Sequence, residues 1–292
     1  MKLILTADVH LKKAVPVCRP EDEEGWLQVQ RDMLLKLKEH TLANEAKLLF
    51  VGDIFDAPVA SLVVVDMFLD IFTDIRDDVY IMAGNHDLRG HNYENVRESS
   101  YGILRNWFRE IPDLDGMDLD GHHFNDPYRG NAPVACTHQL IFPTESEAML
   151  CGAKTAKTIL KEYPNAELVL VGDYHSKFIY EEDGRYVVNP GCTTRQSIKH
   201  ADYTPSCYFI DTVEGIIEQK DLPDTEAVLS TSHRDKIAER DERIANLLEI
   251  ADNKGKVTMD FLANLQNQIG NVPHAVQEVL LGYISELKES EE

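Results

Sequence analysis

Short apolar runs alternate along this chain with longer stretches in which apolar side chains recur every three or four positions. The short runs are Leu3–Leu5, Leu48–Val51, Val79–Met82, Val134–Cys136, Leu168–Val171, Tyr186–Val188 and Tyr208–Ile210. Their length, β-branched content and flanking turn residues predict buried strands. Between several of them, Trp26, Val29, Met33 and Leu37 step by three and four, as do Val63, Met67 and Ile71, and Ala156, Ile159, Leu160 and Tyr163. That spacing puts one apolar stripe on each helix. Alternation of strand and helix predicts an α/β fold, a sheet with helices packed on it.

The pattern changes after about Leu222. Pro223, Asp224 and the STSH run at 230–233 form a polar break, followed by three segments readable as helices: Arg234–Ala251, Thr258–Ile269 and Pro273–Lys288. From Glu214 onward 17 acids stand against 8 bases, so these helices must carry much of their charge in solvent. The expected organisation is a core over residues 1–228 and a small C-terminal helical appendage over 229–292.

Composition narrows the classes. The five cysteines (Cys18, Cys136, Cys151, Cys192, Cys207) never form a CxxC pair, which predicts reduced thiols in a cytoplasmic protein rather than a disulfide frame or thiolate zinc site. Met1–Val9 lacks a cleavage-site pattern and reads as a strand, not a signal peptide. No run approaches the roughly 18 apolar residues of a membrane span, so no membrane partner is expected. The net charge of −22 repels polyanions at long range, an objection that any nucleic-acid reading must meet locally.

The candidate chemistry lies at the strand ends. Leu3–Leu5 leads to Asp8 and His10, Leu48–Val51 to Asp53 and Asp56, and Val79–Met82 to Asn85, His86 and Asp87. Val134–Cys136 leads to His138, and Leu168–Val171 to Asp173 and His175. In an α/β sheet the loops at the carboxyl ends of the strands share one rim. Small residues before the donors let the backbone turn and approach an ion. One Asp-x-His or Gly-Asp is commonly a turn or cap, but five such endings in order point to a metal site. Asp8, His10, Asp53, Asn85, His138, Asp173 and His175 are too many donors for one ion and suit two cations sharing a carboxylate.

DVH (8–10), GDIFD (52–56), GNHD (84–87), His138 and GDYH (172–175) together resemble the calcineurin-like metallophosphoesterases over about residues 1–222. The resemblance implies an αββα sandwich of two mixed sheets with flanking helices. It implies one metal on Asp8, His10, Asp53 and His175, and another on Asp53, Asn85, His138 and Asp173, with Asp53 bridging. Asp173 stands where the family usually has His, which shifts preference from Zn²⁺ toward Mn²⁺ or Mg²⁺; Mn²⁺ is expected. The implied chemistry is attack of a metal-activated hydroxide on phosphorus, with His86 serving the leaving oxygen and Asp56 or Asp87 orienting its ring.

Within the family, LILTADVHL, GNHD and GDYHSKFIYEEDGRYVVNPGCTTRQSI are similar to SbcD-like nuclease subunits of DNA double-strand-break repair. Lys12, Lys13, Arg89, Lys177, Arg195 and Lys199 are expected to make a local basic rim for DNA. The resemblance also implies that the C-terminal helices dock on an SMC-like coiled-coil ATPase, through apolar positions such as Leu247, Phe261, Leu265 and Val279; packing of these residues on one another is the alternative. Substrate selection is left to such a partner or to a homodimer. A stand-alone phosphodiesterase or phosphatase on small phosphoesters is the rival enzyme, and a catalytically silent scaffold of the same fold the rival from another class.

Overall fold

A computed structural model describes residues 1–111, 118–124, 130–149, 153–224 and 227–230. The expected helical appendage, with its docking face, falls outside the described residues apart from positions 229 and 230. The described residues belong to one compact unit, Met1–Ser230.

The chain begins β1 (Lys2–Thr6), α1 (Glu23–Asn44), β2 (Lys47–Val51), α2 (Leu62–Phe72), β3 (Val79–Met82), α3 (Tyr101–Leu104) and β4 (Arg109–Glu110). It continues through β5 (Leu119–His122), β6 (Val134–His138), β7 (Ile141–Phe142), α4 (Glu145–Met149), β8 (Lys154–Thr155) and α5 (Ala156–Glu162). The last strands are β9 (Leu168–Gly172), β10 (Phe178–Glu182), β11 (Arg185–Asn189), β12 (Ser206–Asp211) and β13 (Ile216–Asp221). One sheet has the order β13-β12-β1-β2-β3-β4 and a second the order β10-β11-β9-β6-β5, with β7 and β8 pairing apart. β1 to β4 run parallel, as do β5, β6, β9 and β11; β12, β13 and β10 join antiparallel. The two mixed sheets with flanking helices are the fold class expected from sequence.

Strand alternation builds the layers, because successive side chains point to opposite faces. Leu3, Leu5, Leu49, Val51, Tyr80 and Met82 face Val134, Cys136, Leu168, Leu170 and Val188 of the other sheet. Ile4, Leu48, Phe50, Val79 and Ile81 face outward onto α1 and α2, through Met33, Leu34, Leu37, Val64, Phe68 and Phe72. Ala135, Val169, Val171 and Val187 receive Ala156, Ile159, Leu160 and Tyr163 of α5. Each fully buried Leu, Ile or Phe contributes about 1.5–3 kcal/mol by leaving water.

Two helix stripes differ from the spacing read off the chain. In α2 the inward face is Val64, Val65, Met67, Phe68, Ile71 and Phe72, while Val63 is 42% exposed; in so apolar a helix several stripes fit, and only packing chooses one. In α1 the buried face includes Gln30. Its amide donates to the Lys12 carbonyl at 2.9 Å and its oxygen accepts from Lys12 N at 2.9 Å. The Trp26 indole donates to the same carbonyl at 3.1 Å. α1 thus fixes the loop that follows His10.

Candidate metal centre

The carboxyl ends of β1, β2, β6 and β9, with the loop after β3, meet at one edge of the paired sheets. The backbone there is held in the left-handed region at Asp8 (φ 49°), His10 (φ 49°), Asp53 (φ 51°) and Asp173 (φ 86°). Such conformations cost about 1–3 kcal/mol each and persist where surrounding structure imposes them. Space is equally constrained: a Cβ on Gly84 would stand 2.1 Å from Asp53 Oδ1, and one on Gly52 2.1 Å from His138 Nδ1. These glycines let two loops close onto the Asp53 carboxylate and the His138 ring.

Asp53 is the hub. Its Oδ1 accepts from His86 N at 2.9 Å. Its Oδ2 is buried with no hydrogen-bond partner, yet lies 3.3 Å from His138 Nε2 and 3.6 Å from His10 Nε2. His138 donates from Nδ1 to the Val51 carbonyl at 2.9 Å, and its Nε2 faces Asn85 Oδ1 at 3.2 Å and Asp8 Oδ1 at 4.0 Å. His10 Nε2 stands 3.1 Å from His175 Nε2. Asp8 accepts from Asp173 N through both oxygens, at 3.0 and 3.1 Å. Among the described residues, three overlapping ligand groups result: Asp8 with His10 and His175, Asp8 with Asp53 and His138, and His10 with Asp53 and His86, each with donor atoms within 4.8 Å of one another.

Lone pairs converging on a buried, unpartnered carboxylate oxygen fit a cation, since burying anionic oxygen without a counter-charge is costly. The proton equilibria express the same demand. Burial pushes Asp8 up to about 7 and holds His10 down at about 3 despite Asp53. At His138 burial opposes charge, but the carboxylates of Asp53, Asp8 and Asp173 together prevail and lift it to about 10. At Asp53 burial opposes the charge, but His138, His10 and His86 together outweigh it and lower the carboxyl. A proton on His138 thus takes the place a cation would take, and metal binding there must release it.

Several expected roles change. Asp87 does not orient His86: its buried carboxylate accepts from Phe55 N at 2.9 Å, Gly84 N at 3.0 Å and Ile54 N at 3.2 Å, tying two ligand loops together. Asp56 does reach His86, but through its backbone carbonyl, which accepts from Nδ1 at 2.8 Å. His86, expected to stand beside the ligands, joins one of the ligand groups. Asp173 serves Asp8 by its amide and lies outside those three groups, though burial raises its carboxyl and His138 and Asp53 act on it.

Four residues of the expected basic rim have partners within the chain. Arg195 is buried, giving its guanidinium to the carbonyls of Asp224 at 2.6 Å, Ala227 at 2.8 Å and Ala201 at 3.2 Å. Lys177 donates to the Thr204 carbonyl at 2.9 Å. Lys12 pairs with Asp56 at 3.0 Å and Arg89 with Glu98 at 2.9 Å. Sequence reading also missed Asn189 and Gln196. Gln196 donates to the carbonyls of Val9 and His10 at 3.3 Å each; nothing in its spacing marks it, because its partners lie 186 and 187 residues away.

Among solved structures, a novel archaeal phosphodiesterase aligns at 17% identity and TM-score 0.41, over 76% of this chain and all of that one. A single mutant of Vps29 from Entamoeba histolytica aligns at 15% identity and TM-score 0.39, over 79% and 97%. An uncharacterized protein from Streptococcus pneumoniae, described as a predicted phosphoesterase, aligns at 11% identity and TM-score 0.36, over 78% and 92%. No curated protein matches the sequence. Among the described residues no helix is long and apolar enough to cross a membrane. The calcineurin-like phosphoesterase profile matches residues 1–177, a span that closes just past His175, and the chain belongs to that family.

Proposed function

We propose that the protein is a metal-dependent phosphodiesterase that cleaves the DNA backbone, in the manner of an SbcD-like nuclease subunit. The observation that carries hydrolysis is the buried, unpartnered Oδ2 of Asp53, faced by imidazole nitrogens of His10 and His138. Divalent cations bound there, Mn²⁺ foremost, would supply Lewis acidity and a water of lowered pKa as nucleophile. Asp8, His10, Asp53 and His175 would hold one cation, and Asp53, Asn85 and His138, with Asp173 beside them, would hold the second. The Val51 carbonyl fixes the His138 tautomer and leaves Nε2 to ligate. The Asp56 carbonyl holds His86 Nδ1, so in the imidazolium form Nε2–H is the donor to the leaving oxygen.

The DNA assignment rests on the likeness of LILTADVHL and GDYH through NPGCTTRQSI to SbcD-like nucleases, with DNA grip contributed by a coiled-coil ATPase partner or a homodimer. A second reading, a phosphodiesterase or phosphatase on small phosphoesters, is favoured by one observation: Arg195 is spent on backbone carbonyls and Lys177 on Thr204. Digestion of linear duplex DNA and turnover of bis(p-nitrophenyl) phosphate, both with Mn²⁺, separate the two. DNA degradation that disappears in Asp53→Asn is expected. Ester turnover with intact DNA would establish the second reading, and inactivity on both with Mn²⁺, Mg²⁺ and Zn²⁺ would make the protein a silent scaffold.

A further inference from the structure

The end of β11 and the turn that follows it hold three consecutive carbonyls of the His175 loop. The Asn189 side-chain amide donates to the carbonyl of Tyr174 and, at 2.8 Å, to that of Ser176. Between them, the Cys192 amide donates to the His175 carbonyl at 3.1 Å. The fit is close, since a Cβ on Gly191 (φ 69°) would lie 2.7 Å from Lys177 N and 2.8 Å from His175 O. Asn189 is fully buried and closes a strand paired on both sides, with Phe178 opposite it in β10. Its two N–H donors are both used, whereas its Oδ1 is buried without a partner. A buried amide that leaves its own oxygen unsatisfied is retained for its donors.

We infer that Asn189 is a positioning residue for the metal centre, fixing the His175 backbone so that Nε2 meets His10 Nε2 at 3.1 Å. It touches neither metal nor substrate. Supporting groups of this kind typically change metal affinity about 10–100-fold when removed. Asn189→Asp tests the donors specifically, because it keeps the volume and sets carboxylate oxygen against two carbonyl oxygens.

The inference rests on His175 being a ligand, so the experiment reads that separately, by Mn²⁺ calorimetry on the full chain. His175→Asn identifies the binding step that His175 supports. Asn189→Asp is expected to weaken that same step about tenfold while the other step stays within about twofold, and the double variant should bind no more weakly than His175→Asn alone. Wild-type affinity in Asn189→Asp, equal loss at both steps, or additive losses in the double variant would overturn the inference. Unchanged binding in His175→Asn would instead overturn the ligand assignment beneath it. Asn189→Ser, which keeps at most one donor, is expected to weaken that step about tenfold, and it decides by the same criteria should Asn189→Asp fail to fold.

Discussion

The two oxygens of the Asp53 carboxylate have different surroundings, and that difference organises the site. Oδ1 is held by His86 N, which leaves Oδ2 turned toward two imidazoles. Gly84 permits this: Gly84→Ala would drive a methyl to within 2.1 Å of Oδ1, so it should weaken Mn²⁺ binding at least about tenfold, read by calorimetry. His86→Asn should lower kcat about 10²-fold, the usual range for a lost proton donor, with the number of bound metal equivalents unchanged by elemental analysis. Loss of one equivalent would make His86 a ligand instead. Donor residues after strands were legible from residue type and order alone. Asp87 and Arg195 were not, because their partners are backbone groups of distant loops and spacing does not encode these.

At the scale of elements, the strands rich in β-branched residues were readable, while β5 (LDGH) and β13 (IIEQKD) were not. β5 gains its strand form from pairing with β6 rather than from its own composition. β13 is an edge strand with mostly exposed residues, where charged side chains discourage pairing with another chain. Beside β5 lies His123, whose Nδ1 accepts from Ala83 N at 3.1 Å while Nε2 faces Glu110 at 3.4 Å. Protonation would set two donors against each other at Nδ1. Burial, with Arg105 and His122, lowers His123 from 6.5 to about 3. The folded ring is therefore neutral where the unfolded one takes a proton, so its contribution to stability is intact above pH 6.5 and is lost as pH falls below it. Urea titrations should show stability declining by at most about 1.4 kcal/mol per pH unit on this account, with a shallower decline in His123→Gln. An unchanged slope in that variant would exclude His123 as the source. In the outer layer, Phe68 packs on Phe50, Phe72 and Phe108 at ring separations of 4.8–5.5 Å. Phe68→Ala should cost about 3–5 kcal/mol by the same measurement.

Across the whole molecule, the segment after β13 is bound back onto the loops behind the metal centre. Asp224 accepts from Arg19 and, at 2.7 Å, from Arg195 N, and its side chain is 1% exposed. Ser230 N donates to the Cys18 carbonyl at 2.7 Å. Gln196, next to Arg195, then holds the backbone of His10. Asp224→Ala would leave the buried Arg195 guanidinium without a carboxylate and Arg19 with Glu21 alone, and should cost about 3–5 kcal/mol in urea unfolding; a cost below about 1 kcal/mol would show that Glu21 and the backbone carbonyls suffice. On the proposed nuclease reading, the net charge of −22 gives DNA binding little long-range help, and a contact carried by a few local cations should weaken only modestly with added salt, in proportion to the few phosphates neutralised.

The most direct measurement is anomalous diffraction from crystals soaked in Mn²⁺. Two peaks, one on either side of the Asp53 carboxylate, with His10 and His175 near one and Asn85 and His138 near the other, are the expected result. A peak elsewhere, or none within coordination distance of Asp53, would contradict the account.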